Sequence, residues 1–352
     1  MIVRWRYTND FDELAKTPHF LTGVSELLRA GRLGRHLVII DRLIIARLLD
    51  FDISPHDRSF LERLAQQFTQ TGRAHQFSTA YIEVANNQAA EPAVSGSAVT
   101  VPFKMLVTSD ILEPAKLITE NIDNDGWLYS IVIQYFAERV GRGHVSVELL
   151  HGGGADTPKV LTNALSEKRI VVTLVDSDRD CPTGPKSETL KKVEKICDDS
   201  EWVLAKSGTP PCREIENLIP IDILTALQCG VGHASNAILI NIDNAEHNNG
   251  TTSADRHWNY FDLKKGQSSN QILKTNDECR QWITGKIALA LDTDNDWEVP
   301  GYGDNIVSQL RSNGVRIAEF RRAMSTSHWN EKFGAFFSFI AWFFVGAQRL
   351  IT

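Results

Sequence analysis

Four short segments concentrate the residues able to do chemistry. Glu120 closes the apolar run Ala115-Lys-Leu-Ile-Thr-Glu120 and is followed by Asn121, Asp123 and Asp125. Three glycines, Gly152, Gly153 and Gly154, follow His151. Asp176-Ser-Asp178-Arg-Asp180 follows a second apolar run, and Arg213-Glu214-Ile-Glu216-Asn217 stands just before Pro220. Carboxylates about 4 Å apart repel by roughly 1 kcal/mol in water and about 4 kcal/mol at an effective dielectric of 20. A converging set protonates or splays unless cations sit between its members. Oxygen-only ligands suit hard cations, Mg²⁺ or Mn²⁺ before Zn²⁺. Two such ions about 3.5 to 4 Å apart can clamp the attacking and leaving oxygens of a phosphodiester. Glycines let backbone N–H groups approach a phosphate closely. Each motif alone has an ordinary explanation: loop capping for D-x-D, a first-turn acid for Glu120, a tight turn for the glycines. Their joint order favours a metal site.

The elements around these segments decide whether they meet. Ala115–Glu120, Val145–Leu150, Ile170–Val175 and Trp202–Leu204 read as strands. Between them, Gly126–Val140, a segment opened by Thr157 as N-cap with Pro158 behind it, and Ser187–Asp199 carry apolar residues at helical spacing. Alternation of this kind predicts a parallel sheet with right-handed crossovers. Ligands in such sheets bind outside the carboxyl ends of the strands, where the acids and glycines fall. Residues up to about 84 read mostly as helix, including Val24–Leu28, the run Leu37–Leu49 and Phe60–Phe68. Asn86–Ser97 is small, polar and Pro/Gly-containing, an exposed loop or a boundary. From Ile221 onward helices and loops are expected. The expected organisation is a mostly helical region over 1–100, an α/β domain over 104–220 and a mainly helical region over 221–352.

The order Glu, glycines, D-x-D resembles a Toprim domain of the OLD-family nuclease type. The resemblance covers about residues 104 to 220. In it, Glu120, Asp176 and Asp178 correspond to the family's Glu and D-x-D. "KLITENIDND" resembles the first OLD-like motif, which places Asp123 or Asp125 as a further ligand. "REIEN" resembles the later element that brings Glu214 or Glu216 to the site. "WNYFDLKKG" is similar to lysine-bearing downstream segments, so Lys264 and Lys265 would meet phosphate. The resemblance implies an α/β, Toprim-like, Mg²⁺- or Mn²⁺-dependent endonuclease acting on DNA, with RNA as the alternative, and a role in antiphage defence. Glu120 would be metal ligand or general base. Asp176 and Asp178 would hold the metal. Asp123, Asp125, Asp180, Glu214 and Glu216 are the remaining candidate ligands, with Glu216 also a catalytic candidate. Gly152, Gly153 and Gly154 would cradle phosphate, and Arg213 would neutralise a phosphate or orient an acid. The chain has no G-x-x-x-x-G-K-[ST] element, so an ATPase would be a separately encoded partner.

Composition narrows the field. The 352 residues are 42% hydrophobic and 23% charged with a net charge of -7, which excludes a disordered or fibrous chain and binding of nucleic acid by bulk charge. Five scattered cysteines without a CxxC pair suggest reduced thiols in the cytoplasm. The N-terminus has no apolar h-region. Phe333–Ala347 is too short to span a membrane and is expected to be a buried helix or a homodimer contact. Arg139, Arg142, Lys186, Lys191, Lys192 and Lys195 lie near the site in sequence; a solvated helix face is the commoner reading for the three on the Ser187 helix. The tryptophans are expected mostly in the core. One rival is a haloacid-dehalogenase-type phosphatase with Asp176 as nucleophile and Asp178 as acid/base, which would not need Glu120. Another is a non-catalytic Toprim-like module binding nucleic acid or protein. An esterase reading of His151–Gly154 fails for want of a G-x-S-x-G elbow.

Overall fold

The structure, a computed structural model, describes residues 1–87, 91–139, 144–227, 233–312 and 317–349. Arg142 and Cys229 lie outside the described residues. The chain is α/β, with two parallel-rich sheets and helices packed on them.

The N-terminal region departs from expectation. Helices Phe20–Arg32, Arg42–Leu48 and Pro55–Thr71 are present, but they flank a five-stranded sheet. Its strands are β1 (Ile2–Trp5), β2 (Leu37–Ile40), β3 (Tyr81–Ala85), β4 (Ala93–Ser95) and β5 (Ala98–Pro102), in the order β2-β1-β3-β5-β4. All pairs are parallel except β4–β5. The run Leu37–Leu49, expected as one helix, is a buried strand and then a helix. Asp41 divides them: its carboxylate accepts the Leu43 N–H at 3.2 Å and caps the helix. A continuous apolar run suits a strand buried on both faces as well as it suits a helix, so periodicity alone does not separate them.

The second sheet positions the acids. It contains β6 (Ala115–Thr119), β7 (Val147–His151), β8 (Val171–Leu174) and β9 (Ala205–Gly208), in the order β7-β6-β8-β9, all parallel. Thr119 stands opposite both His151 and Leu174, and Leu174 opposite Gly208, so the carboxyl ends are level. Trp202–Leu204, expected as the fourth strand, forms a turn instead, and the strand begins at Ala205. Trp202 is drawn into the core, where its Nε1 donates to the Arg169 carbonyl. Helices Trp127–Arg139, Thr157–Ser166 and Glu188–Asp199 are the crossovers. Ser187 caps the last, its hydroxyl accepting the Leu190 N–H at 3.2 Å. Asp156, one residue before the expected Thr157, is the N-cap of the second.

The C-terminal region adds helices and a small antiparallel pair, β10 (Gly266–Ser268) with β11 (Glu298–Pro300). The aromatic run forms helix Ser327–Phe344. Phe333, Phe337, Ile340, Phe343 and Phe344 are each at most 2% exposed, and Phe337 meets Tyr129 and Phe136 of helix Trp127–Arg139 with ring centroids 6.1 Å apart. Among the described residues, no helix is long and apolar enough to cross a membrane. The chain leaving this helix runs between the two sheets: Val145 bridges Val345, and the Ser146 N–H donates to the Phe344 carbonyl at 2.8 Å.

Candidate acid site at the strand ends

Each acid reaches the carboxyl edge for a local reason. Glu120 is the residue after β6, and its Oε1 accepts the Asp176 N–H at 3.3 Å, which links the ends of β6 and β8. The Asn121 side chain accepts from the Asp123 and Asn124 N–H groups and opens a π-helical turn, Ile122–Gly126. That turn separates the two following acids. Asp123 faces solvent, whereas Asp125 is 9% exposed and accepts the Asn121 N–H at 2.9 Å. Asp125 is therefore the acid that joins Glu120.

Asp176 lies at the centre. Its Oδ1 accepts the Ile215 N–H at 3.0 Å, which brings the Arg213–Asn217 segment over the end of β8. The Ser177 and Asp178 N–H groups donate to the Arg213 carbonyl at 2.9 and 3.0 Å. Asp178 takes a left-handed backbone, φ 54°, and its side chain is exposed. Non-glycine residues adopt that conformation at a cost when the surroundings impose it. Asn217 locks the segment, with its Nδ2 donating to the carbonyls of Trp258 (2.7 Å) and Phe261 (3.0 Å).

Two cations answer these acids. Lys264 Nζ lies 3.0 Å from Glu214 and 3.1 Å from Glu216. Arg213 pairs with Asp180, with Glu214 at 3.0 Å and with Asp262 at 3.4 Å. Negative charge still exceeds positive. Desolvation raises the pKa of Asp176 well above the usual carboxylate range, reinforced by Glu216, Asp125 and Glu120. Desolvation also raises Glu120, Asp125 and Asp178, and pushes Glu216 up to about 7 against the pull of Lys264. Glu214 goes the other way, because Lys264 and Arg213 outweigh its burial. Glu216 Oε2 is buried with no hydrogen-bond partner.

The glycines stand beside this cluster. The Gly152 and Gly153 N–H groups donate to the Thr119 and Glu120 carbonyls at 2.7 and 3.0 Å, so they extend the β6–β7 ladder. Gly153 and Gly154 have φ of 75° and 59° and turn the chain into helix Thr157–Ser166.

Comparison with protein-family models, with curated proteins and with solved structures finds no match to this chain.

The edge thus brings together Glu120, Asp125, Asp176, Asp178, Glu214 and Glu216, and leaves Asp123 outside. Asp180 is held by Arg213. Arg213, expected either to neutralise a phosphate or to orient an acid, is paired with three carboxylates, which fits the second. Lys264 is an internal counter-ion, and only Lys265 is exposed. Lys186 and Lys191 are tied to Glu194 and Glu188, and Arg139 to the Tyr135 hydroxyl. As they stand, no three His, Cys, Asp or Glu side chains among the described residues form a ready metal-holding group.

Three residues escaped the sequence reading. Tyr129 is 1% exposed, its hydroxyl has no partner, and Asp176, Asp125 and Glu120 add to burial in raising its pKa. Its place within the apolar face of helix Trp127–Arg139 hid it. Asp262, within "WNYFDLKKG", pairs with Arg213 and accepts the Lys264 and Lys265 N–H groups. The third is Cys279. Against the expectation of free thiols, Cys181 and Cys279 form a disulfide that ties the loop after Asp180 to helix Asp277–Ile287. Spacing carries no sign of such a pairing.

Proposed function

We propose that the chain is a divalent-cation-dependent hydrolase of nucleic-acid phosphodiesters, an endonuclease acting on DNA, and that the acid edge is its active site. The carrying observation is the convergence on Asp176 of three carboxylates from two other segments, Glu120 and Asp125 after β6 and Glu216 before Pro220, with Lys264 as their near cation. A purely structural edge gains nothing from that repulsion. The donor set fits Mg²⁺ or Mn²⁺: every donor is oxygen, and Glu216 keeps an unpartnered buried oxygen. Asp176, Glu120, Asp125 and Glu216 would hold the metal, with Asp178 turning in from its exposed position. When bound, such an ion polarises the phosphoryl oxygens and lowers the pKa of a water. The chain's own part is to position. Arg213 and Lys264 keep the Glu214–Glu216 turn aligned, and the glycine turn, expected to cradle phosphate, instead spends the Gly152 and Gly153 N–H groups on the Thr119 and Glu120 carbonyls and so fixes the end of β6. Resemblance to the Toprim domain of OLD-like nucleases supports the same chemistry, and with it a place in antiphage defence beside a separate ATPase.

The test is cleavage of supercoiled plasmid, single-stranded DNA and RNA in Mg²⁺, Mn²⁺ or EDTA. Metal-dependent cleavage lost in both Glu120→Gln and Asp176→Asn supports the reading. Phosphomonoester hydrolysis that survives Glu120→Gln, without cleavage of nucleic acid, moves the chain to the phosphatase class. One observation favours a binding module instead: Lys264 already bridges Glu214 and Glu216. In that case isothermal titration with Mn²⁺ shows no binding, and no substrate is cut.

A further inference from the structure

Beside the segment that carries Glu216 lies a cavity of about 330 Å³. Helices Ile221–Leu227, His233–Asn248 and Ser327–Phe344 contribute to its lining. Small-molecule sites begin at about 300 Å³. Two of its lining groups are cations, Arg256 and Lys332. Arg256 is 6% exposed; one guanidinium nitrogen donates to Asp243 Oδ1 at 3.2 Å, while its Nε is buried without a partner. Lys332 has neither ion pair nor hydrogen bond among the described residues. His328 stands 3.7 Å from the same Asp243, and His247 also lines the cavity. The other two acids of the lining, Asp222 and Glu331, are exposed at its rim. One inner carboxylate, Asp243, thus meets Arg256 and His328 in a lining that also holds Lys332 and the exposed His247.

The electrostatics agree with this geometry. Burial brings the Lys332 ammonium down to about 8; Asp243 and Glu246 act to raise it and Arg256 to lower it. Burial holds His328 at about 4, and Lys332, Arg256 and His247 repel its proton while Asp243 attracts it. Cations crowded out of water in this way are stabilised by an anion, as a carboxylate cluster is by a metal. Trp258 and Trp329, both buried, also contribute to the lining, and each gives its Nε1 to a backbone carbonyl, of Asn217 at 3.1 Å and Leu218 at 2.8 Å.

We propose that this cavity binds a phosphomonoester, its dianion on Lys332 and Arg256 and a flat heterocyclic body against Trp258 and Trp329. A phosphate offers acceptors for both the three ammonium donors of Lys332 and the unpartnered Nε of Arg256. A nucleoside monophosphate has this chemistry, whether free or as the end of a strand. The site is separate from the acid edge, and the inference does not depend on the hydrolase reading.

The test is isothermal titration in EDTA, so that the acid edge carries no metal. The probes are inorganic phosphate, adenosine, adenosine 5′-monophosphate, and an oligonucleotide with and without a 5′-phosphate. The monophosphate or the phosphorylated strand is expected to bind at least tenfold more tightly than phosphate, adenosine or the unphosphorylated strand. Whichever binds tighter identifies the source as free nucleotide or strand end. Lys332→Met is expected to weaken binding at least tenfold without lowering Tm, because it removes a half-buried, unpaired ammonium at nearly constant volume. The bound anion also raises the His328 pKa in wild-type protein, read by NMR. No binding of either phosphomonoester at millimolar concentration, unchanged affinity in Lys332→Met, or an unmoved His328 titration overturns the proposal.

Discussion

Asp176 shows the conflict a functional residue can carry. Its Oδ1 is needed structurally, as the acceptor for the Ile215 N–H, but its charge is opposed by Glu216, Asp125 and Glu120. Asparagine keeps an acceptor and loses the charge. Asp176→Asn is expected to reduce metal-dependent cleavage about 100-fold or more while leaving Tm unchanged or higher. A parallel loss of Tm would mark the carboxylate as structural. His257 allows a second prediction, on pH. It is 1% exposed, its Nε2 lies 2.8 Å from Gln267 Oε1, and burial lowers its pKa to about 4, with Lys286 opposing its charge. The unfolded chain takes up that proton near pH 6.5 and the folded protein only near 4. The unfolded state therefore binds more protons between these values, and stability falls as pH drops through that window, by about 3 kcal/mol in all. Urea unfolding between pH 7 and 4.5 is expected to show this slope, and His257→Gln to flatten it. Equal slopes for the two proteins would refute the assignment.

At the scale of elements, the four level strand ends make the site, and the links between them are short. Gly152 sits at the tightest one. A Cβ there would meet the Thr119 carbonyl oxygen at 2.8 Å and Thr157 Oγ1 at 2.4 Å. The threonine can rotate, but the carbonyl belongs to the ladder and moves only with β6. Gly152→Ala is expected to cost about 1–3 kcal/mol in chemical denaturation and to displace Glu120, lowering activity beyond the stability effect. The C-terminal helix supports the same edge from below, through Phe337 against Tyr129 and Phe136. Phe337→Ala is expected to cost about 3–5 kcal/mol in the same experiment. Much of this scale was legible in the sequence: β6, β7 and β8 and their crossover helices fall within a few residues of where the pattern places them. The misses share a cause. Leu37–Leu49 and Trp202–Leu204 are apolar without a distinguishing period, and neighbouring strands and the Asp41 cap decided their form.

For the whole molecule, the Cys181–Cys279 disulfide and the C-terminal chain tie the parts to one another. The disulfide spans 98 residues of sequence. On chain entropy, closing a loop of that length stabilises by about 4–5 kcal/mol. Dithiothreitol is expected to lower the urea midpoint accordingly, and Cys181→Ser to remove the sensitivity; an unchanged midpoint would show the pair to be unlinked in solution. By itself, the sequence determined the α/β class, the parallel strands β6, β7 and β8 and the candidacy of Glu120, Asp176 and Asp178, because period, strand-end position and residue type are local properties. It did not choose Asp125 over Asp123, decide between phosphate and acids as the partner of Arg213, turn Lys264 from a phosphate ligand into a counter-ion, pair Cys181 with Cys279, or gather Arg256, His328 and Lys332 around one carboxylate. Those outcomes depend on which groups lose water together and which charges then face each other. Only the packed chain sets these distances, since the residues concerned come from segments up to about a hundred positions apart.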